Sequence, residues 1–338
     1  NFAFKIPFYV PAAKFFSRTG LVTSMAIGTL GLVVFYWMFF LLDHGSSINP
    51  FVLMSVGIVG LMFDAVFYWS PYHIDFAKFL DPHHRGKQLG KYYGLQEAVG
   101  ILAPMIAAFI LIRFGYEMNF LIGLILTMAS IVPLFFVPKY SVTYEFGYFE
   151  SFRKLFSKKY RSMTFSMIAL GAENIIGVIV WPIFLFSVFN GNYLEVGFVM
   201  TIIVVISMII ELIVGRQVDQ LTARRILRVG SWIYAFGWIA KGLVQTIAGV
   251  FAASTFHSFG SIMMRIPLDT MSFQQAADSG HYIDEFTVLR EMSIGIGRVI
   301  ILVLLIPITM KFSIGSAFFI AAIVSLGVNW LAQYKTQE

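Results

Sequence analysis

The residues best suited to chemistry in this chain are ionisable side chains inside long apolar stretches. Asp64, Glu97, Glu173 and Arg298 each lie near the middle of such a stretch. A charge at the centre of a bilayer costs about 2.5 to 3.5 kcal/mol on insertion scales, so such residues usually face a bundle interior or a water-filled cavity. Burial can bring the proton uptake and release of a carboxyl group into the physiological pH range. We therefore predict a proton-binding carboxylate, with Glu173, Asp64 and Glu97 as candidates.

The alternative for each of these residues is a structural polar group that is satisfied inside the fold. Arg265 and Asp269 are four residues apart, which allows an ion pair within one helix. Arg298 could neutralise Glu291 or Glu97. For both arginines a structural pair is favoured over contact with a ligand.

The polar side chains recur at helical spacing in two of the apolar stretches. The first stretch carries Asp64, Tyr68, Tyr72 and Asp75. The second carries His257, Ser261, Arg265, Asp269 and Ser272. Steps of three and four residues place side chains on one helix face. We expect His257 to be a hydrogen-bonded wall residue rather than a proton switch, although an unperturbed histidine titrates near neutral pH.

The composition excludes a soluble globular domain. The 338 residues are 58% hydrophobic and 12% charged, with a mean hydropathy of +0.80. Apolar segments long enough to cross roughly 30 Å of hydrocarbon as helices recur along the chain, which predicts an all-α polytopic membrane protein and not a β-barrel. There is no cysteine, and we predict no metal or cofactor. The net charge of +6 comes from residues in loops and indicates topology rather than a nucleic-acid partner.

Ten complete membrane spans are predicted from this pattern. They are Leu21–Leu42, Phe51–Phe79, Leu89–Ile112, Asn119–Val137, Met163–Val188, Val196–Val214, Ile226–Val244, Ile247–Phe273, Thr287–Met310 and Phe312–Leu331. The alternate loops assigned to the cytoplasm then hold most of the 24 Lys and Arg, and only Arg113, Lys241 and Lys311 fall on the opposite side. This assignment places the C-terminus in the cytoplasm and predicts that Lys241 extends to the outer surface.

The one long connection, 139–161, divides the chain into predicted halves 1–138 and 162–338. It is basic and carries Phe149, Phe152, Leu155 and Phe156 at helical spacing, which is typical of an amphipathic segment lying on a membrane surface. Weak matches between the halves recur at an offset of about 200 residues, as in transporters built by duplication. One of them pairs Phe63 and Pro71 with Phe259 and Pro267.

A short charged loop between two apolar runs carries a recognisable motif. Residues 215–225 read Gly-Arg-Gln-Val-Asp-Gln-Leu-Thr-Ala-Arg-Arg. This loop resembles the G-x-x-x-D-[R/K]-x-G-R-[R/K] loop of the major facilitator superfamily, with Gly215, Asp219, Arg224 and Arg225 in the matching order. The run Ala103-Pro104-Met-Ile-Ala-Ala also resembles the end of the fifth-helix motif of the family's antiporters.

The resemblance covers essentially the whole chain and implies a two-half bundle of twelve helices, of which this chain supplies the third to the twelfth and the end of the second. It implies that the helices carrying Asp64, Glu173 and Arg265 line a central cavity. The expected cavity or proton-coupling residues are Asp64, Tyr68, Tyr72, Glu97, Glu173, Asn174, Trp181, His257, Arg265, Asp269 and Arg298. The resemblance also implies that Gly215, Asp219, Arg224 and Arg225 form a cytoplasmic gating loop that holds the two halves together in one state.

These observations favour a secondary active transporter that moves a small organic solute by alternating access. The chain has no phosphate-binding G-x-x-x-x-G-K-[ST] motif, so we expect the energy to come from an ion gradient, with protons as the coupling ion. We expect a monomer in a bacterial cytoplasmic membrane or its equivalent, with the bilayer, the solute and protons as its partners. A non-transporting membrane sensor or scaffold on the same fold is the alternative. A membrane-embedded enzyme is disfavoured because the chain has no H-E-x-x-H motif and no cysteine, and His83-His84 lacks a matching set of ligands.

Overall fold

The computed structural model describes residues 2–81, 84–138, 142–189, 201–209 and 223–333, and within these ranges all regular structure is helical. The first helices are α1 (Phe2–Thr19), α2 (Leu21–Asp43), α3 (Pro50–Phe67), α4 (Trp69–Phe79), α5 (Arg85–Ala129), α6 (Ile131–Leu134) and α7 (Tyr148–Leu155). The helix α5 is interrupted at Gly115, where the backbone is not helical (φ 81°, ψ 178°). They are followed by α8 (Arg161–Ile175), a π turn (Ile176–Val180), α9 (Trp181–Val188), α10 (201–209), α11 (Ala223–Leu243) and α12 (Ile247–Asp278). A 3₁₀ turn (Gly280–Tyr282), α13 (Ile283–Lys311), α14 (Ser316–Ser325) and a second 3₁₀ segment (Leu326–Gln333) complete the described chain.

Seven helical segments in the described ranges are long and apolar enough to cross a membrane. They are Leu21–Asp43, Pro50–Phe79, Phe109–Leu134, Arg161–Val188, Ile247–Asp278, Gly280–Lys311 and Ser316–Gln333. The prediction of ten complete spans is therefore not confirmed. The predicted span Ile226–Val244 does correspond to α11, but basic residues at both ends of α11 make it less apolar than the other seven. Much of the predicted span Val196–Val214 lies outside the described residues.

The surfaces of these helices carry many large apolar side chains. Phe51, Ile112, Met310 and Ile323, for example, are each more than two-thirds exposed. Such surface is unfavourable in water and favourable against acyl chains, because burial of apolar groups away from water is the main driving force of folding and insertion. Together with the seven candidate spans, this surface identifies an integral, multi-pass membrane protein.

The chain divides into two compact units, whose bounds cross the predicted halves. Unit 1 comprises 1–79, 105–154 and 279–292, and unit 2 comprises 80–104, 155–278 and 293–338. The division into halves at 139–161 stays a prediction. The predicted amphipathic connection contains α7, whose last turn is basic.

In unit 1, α2 packs along α3 and α4. The Ser24 hydroxyl on α2 donates a hydrogen bond of 2.9 Å to the carbonyl of Phe67, the last residue of α3. Tyr68 then separates α3 from α4. Because the Phe67 carbonyl lies near a helix end, a hydroxyl from a neighbouring helix can satisfy it inside the apolar bundle.

In unit 2, α8 and α13 approach so closely that only glycine fits at their contact. A Cβ atom on Gly171 would lie 2.1 Å from the carbonyl oxygen of Ile294, and one on Gly297 would lie 2.0 Å from that of Ile168. Small residues at helix crossings allow this backbone approach in membranes, where van der Waals packing replaces the hydrophobic effect as the driving force. The same two helices carry the predicted site residues Glu173, Asn174 and Arg298.

Replacement of Gly297 by Ala should therefore lower the stability of the protein. The added methyl group overlaps a backbone oxygen, and overpacking of this kind costs about 1–3 kcal/mol. We expect a lower midpoint of thermal unfolding in detergent. Gly100→Ala is the control, because a Cβ there would meet no described atom within 4 Å. Equal unfolding midpoints for the two variants would contradict the packing described for α8 and α13.

Candidate functional site

The helix that carries Glu173 and Trp181 is interrupted by a π turn. Over Ile176–Val180 the backbone widens, and the Trp181 N–H donates to the carbonyl of Ile176. Pro182 follows and has no N–H to give to the carbonyl one α-turn earlier, which favours the wider turn at this point. An extra residue in a helical turn changes the direction in which the following side chains point, and such turns are frequent at functional sites.

Within unit 2, residues of α8, α9, α10, α11 and α12 enclose a cavity of about 360 Å³. Its wall combines aromatic rings, hydroxyl groups and ionisable side chains. The ionisable members are Glu173, Lys241, His257 and Arg265, and the aromatic members are Trp181, Tyr234 and Trp238. A second cavity of about 430 Å³ shares His257, Ser258, Ser261 and Arg265 with the first and extends to Tyr93 and Gln96 of α5. Cavities of this size hold small organic ligands in other proteins.

Glu173 is the acid among the described residues that line the first cavity, and it is 5% exposed. It accepts a hydrogen bond from the hydroxyl of Tyr234 on α11. The positive charges of Arg265 and Lys241 also act on its carboxylate. A buried carboxylate is stable only with such partners, because desolvation strongly disfavours an isolated charge.

The prediction that Lys241 extends to the outer surface is wrong. Lys241 is 5% exposed, with its Nζ 4.2 Å from the centre of the Trp181 ring and 4.8 Å from that of Trp238. Aromatic faces attract cations, and the attraction is stronger where water is excluded. A sequence signal for this placement existed: Tyr234, Trp238 and Lys241 follow one another at steps of four and three on a single face of α11.

His257 lies between two aromatic rings of α11. Its ring centre is 4.4 Å from that of Tyr234 and 4.4 Å from that of Trp238. The close crossing of α11 and α12 depends on Gly237, where a Cβ would lie 2.7 Å from the Cα of His257. His257 thus stands in the cavity wall, but the expected hydrogen bond is not found at Nε2, which is buried and has no partner among the described residues.

Arg265 lines both cavities and is exposed to them, one turn before Asp269 on α12. The negative charges of Asp269 and Glu173 act on its guanidinium group. Asp269 itself is 4% exposed and accepts a hydrogen bond from the hydroxyl of Tyr93 on α5.

Arg298 and Asn174 meet where α13 crosses α8. The Arg298 guanidinium donates to the Asn174 side-chain oxygen over 3.2 Å. Glu291 was one of the two partners predicted for Arg298. Its Oε1 atom lies instead 2.8 Å from a guanidinium nitrogen of Arg290 and 2.9 Å from Nδ1 of His73. The other proposed partner, Glu97, has its side chain outside the described residues.

The predicted site residues of the Asp64 helix belong to unit 1. Asp64 is partly buried, is hydrogen-bonded to the Trp69 side chain and lies in the field of Lys5. Tyr68 and Tyr72 stack on each other, with ring centres 6.0 Å apart and ring planes within 7°. A cavity shared by these residues and Glu173 stays a prediction.

The predicted gating loop is described only in part. Gly215 and Asp219 lie outside the described residues, whereas Arg224 and Arg225 occupy the first turn of α11. The role of all four residues in gating stays a prediction.

Unit 1 contains an ionic cluster that the sequence analysis missed. Lys78 of α4 binds Asp284 of α13, with Nζ 2.7 Å from Oδ1, and the backbone N–H of Thr143 donates to Oδ2 of Asp284 over 3.1 Å. Nearby, the backbone N–H of Glu145 donates to Glu285 over 2.7 Å. Asp284 and Glu285 open α13, where negative charge is favoured by the helix dipole. Two consecutive acids before an apolar run indicate the start of a helix. They do not indicate the partners, Lys78 and the backbone of residues 143 and 145, which are far away in the chain.

Comparison with known proteins identifies the fold. No family model matches the chain, and no curated protein sequence matches it. Among solved structures, the human organic anion transporter MFSD10 (TETRAN) is 12% identical with a TM-score of 0.71, over 98% of this chain and 82% of that one. The E. coli fucose:proton symporter FucP is 11% identical with a TM-score of 0.73, over 98% of this chain and 88% of the symporter. A FucP structure in the outward conformation, described as a major facilitator superfamily transporter, gives a TM-score of 0.67 at 11% identity over 98% of this chain and 87% of that one.

The three solved structures share one fold with this chain. At such low identity they bear on the backbone arrangement alone. The chain has the fold of the major facilitator superfamily, as the motif of residues 215–225 predicted.

The charges of Glu173 and Lys241 should depend on each other for stability. We expect Glu173→Gln and Lys241→Gln each to lower the midpoint of thermal unfolding in detergent, and the double variant to lose less than the two single losses combined. Coupling between neighbouring residues is commonly about 0.5–3 kcal/mol. Lys311→Gln, which removes the same charge from an exposed position, is the matched control and should be additive with Glu173→Gln. Strict additivity of Glu173→Gln with Lys241→Gln would show that the two charges do not interact.

Proposed function

We propose that the protein is a secondary active transporter that carries a small organic solute across a membrane by alternating access, with protons as the coupling ion. The observation that carries this proposal is a buried carboxylate, Glu173, in the wall of a solute-sized cavity inside a bundle of membrane-spanning helices. Ionisable residues in such positions are rare and usually serve ion or substrate pathways. The fold supports the proposal, because the structural neighbours are an organic anion transporter and a fucose:proton symporter.

The contacts of Glu173 suggest how a proton would act. As a carboxylate, Glu173 accepts the Tyr234 hydroxyl and balances the charges of Lys241 and Arg265. Proton uptake removes that negative charge and leaves both cations facing the cavity without it. The cavity therefore changes its net charge by one unit when Glu173 binds a proton, and a solute that senses this charge becomes coupled to the proton.

Asp64 is the second candidate for proton coupling. It is partly buried within a membrane-spanning segment and has Trp69 and Lys5 as its neighbours. An acid of this kind in unit 1 can load and release a proton independently of Glu173.

Proton coupling predicts a defined effect of neutralising these acids. With the purified protein in liposomes that contain a pH-sensitive dye, addition of a transported solute should move protons in the wild type. Glu173→Gln, which imitates the protonated acid permanently, should abolish this proton movement, and Asp64→Asn should reduce it. Glu117→Gln is the control, because Glu117 is exposed and pairs with His44 at the surface.

For screening, the solutes are neutral sugars, sugar acids and amino sugars, each tested with an imposed pH gradient. Solute flux that is unchanged in both variants and indifferent to the gradient would contradict proton coupling. Solute binding without any flux would favour the alternative of a sensor or scaffold.

The ionic cluster of unit 1 supports alternating access. Its Lys78–Asp284 pair joins the two predicted halves, since Lys78 belongs to the first half and Asp284 to the second. A second contact in unit 1, between His73 and Glu291, joins the halves in the same way. Two halves that rock about a site must make such contacts in one state and break them in another. We assign the role of a clasp between the halves to these two contacts, Lys78–Asp284 and His73–Glu291.

If the clasp acts in the transport cycle, its charges should be exchangeable as a pair. Lys78→Asp and Asp284→Lys should each reduce the initial rate of solute uptake, by about fivefold or more for a coupling of typical size. The double exchange should recover part of the rate, although not all of it, because the Thr143 N–H loses its acceptor. The control is the same exchange at Glu150 and Lys154, an exposed pair 3.6 Å apart, which should change uptake little. An exchanged double variant no better than the single variants would refute the clasp.

A further inference from the structure

The wall of the first cavity has more positive than negative charge. Among the described residues that line it, Lys241 and Arg265 are cations and Glu173 is the acid. Glu173 is already engaged by Tyr234. Asp269, the other acid that acts on Arg265, does not line the first cavity and accepts the hydroxyl of Tyr93. A cavity with this balance attracts an anionic ligand in preference to a cationic one.

The hydroxyl and imidazole groups of α12 in the cavity wall indicate a ligand that forms hydrogen bonds. Ser254, His257, Ser258 and Ser261 all line the cavity and recur at helical spacing. Ser254 is 3% exposed and His257 is 8% exposed, and the Ser254 Oγ and His257 Nε2 have no hydrogen-bond partner among the described residues. Buried polar atoms are destabilising without partners, and a hydroxylated ligand supplies them in this position.

The opposite side of the cavity is aromatic. Trp181, Tyr234 and Trp238 provide flat apolar faces, and Lys241 is held over two of these rings. Such a wall packs against the C–H surface of a short carbon chain, and a pocket with apolar walls and a few convergent polar groups is typical of small-molecule sites. The required ligand therefore has a negative end, a row of hydroxyls and a carbon backbone.

We propose that this cavity binds a small hydroxylated carboxylate, of the size and chemistry of a sugar acid. Its carboxylate lies between Lys241 and Arg265, and its hydroxyls meet Ser254, His257 and Ser258 of α12. This inference rests on the proposed function, because it names the substrate class of the same site.

The geometry also links the ligand to the proton. The ligand carboxylate and the Glu173 carboxylate use the same two cations, so each disfavours the other, and proton uptake by Glu173 removes the competition. The charged and titratable groups that surround Glu173 are Tyr234 and Lys241 of α11, His257, Arg265 and Asp269 of α12, Tyr93 of α5 beside Asp269, and Arg298 of α13 through Asn174. Anion and proton consequently bind together, which makes the transported pair electrically neutral.

The test is a binding experiment on the purified wild-type protein in detergent with four probes of similar length. The probes are D-gluconate, its neutral amide D-gluconamide, the cation 1-amino-1-deoxy-D-glucitol, and hexanoate, which has a carboxylate and no hydroxyls. Binding is followed by isothermal titration calorimetry and by the fluorescence of the tryptophans that line the cavity. We expect gluconate to bind about tenfold or more tightly than the amide and the cation, and more tightly than hexanoate. Gluconate affinity should rise as pH falls, and this rise should disappear in Glu173→Gln.

Variants of the lining residues test whether the preference for gluconate over gluconamide arises in this cavity. Lys241→Gln and Arg265→Gln should bring gluconate to the affinity of gluconamide, while Lys311→Gln should leave the ratio unchanged. Ser254→Ala should weaken gluconate and leave hexanoate unaffected. Because the comparison of the four probes needs only the wild-type protein, a variant that fails to fold does not remove the test.

Two outcomes would overturn the inference. The first is binding of gluconamide or the aminoglucitol as tight as that of gluconate in the wild type. The second is a preference for gluconate that persists in Lys241→Gln and Arg265→Gln. Proton-coupled flux of neutral solutes with no anion preference would refute this inference alone, whereas anion-selective binding without proton-coupled flux of any solute would refute the proposed function alone.

Discussion

The structure depends on one constraint: a charge carried into a membrane-spanning helix must find its partners inside the protein. Unit 2 meets this constraint with a compact set of side chains in which Glu173 receives the Tyr234 hydroxyl and faces the charges of Lys241 and Arg265. Lys241 is further stabilised by two tryptophan rings. Each member of the set would be unfavourable alone, because its desolvation is offset only by the others. The proposed coupling to a proton and to an anionic ligand rests on this mutual dependence.

Close helix packing makes this set possible. Gly171 and Gly297 allow α8 and α13 to touch through their backbones, and Gly237 does the same for α11 against His257. In a bilayer, where apolar side chains gain little by leaving lipid for protein, such contacts and interhelical hydrogen bonds hold the bundle together. The π turn after Glu173 is a departure from regular helix inside this packed region. Departures of this kind persist where the surroundings hold them in place, which is why they concentrate at functional positions.

Unit 1 applies the same physics at the beginning of α13. Asp284 and Glu285 take hydrogen bonds from the backbone of 142–147, and Lys78 neutralises Asp284. Asp284 is 2% exposed and Glu285 is fully buried, so the loss of one partner would leave an uncompensated charge. In the proposed transport cycle, these contacts act as the clasp between the halves and the Glu173 cluster responds to charge. The proposed transport assigns these two tasks to different units of the chain.

Much of the architecture follows from the sequence alone. Hydropathy is a local property, so the composition and the long apolar runs determine an all-helical, multi-pass membrane protein, and the loop at 215–225 correctly indicated the major facilitator fold. The same local pattern pointed to Glu173, His257 and Arg265 as residues of interest, because charge and hydrogen-bonding groups in an apolar run stand out. The prediction of ten spans was not confirmed, and α11 illustrates the difficulty: Arg224 and Arg225 at its start and Lys241 in its last turn lower its average apolarity, although it is a regular helix.

Only the tertiary structure decided which of these residues meet. Lys241 appeared to belong to a surface because it lies near the end of an apolar run, yet the aromatic faces of Trp181 and Trp238 hold it inside. Arg298 found Asn174, and Glu291 found Arg290 and His73. Partner choice depends on where helices cross and on which small residues let them approach, and these are relations between segments far apart in the chain. A sequence read one segment at a time contains the charges but not their pairing.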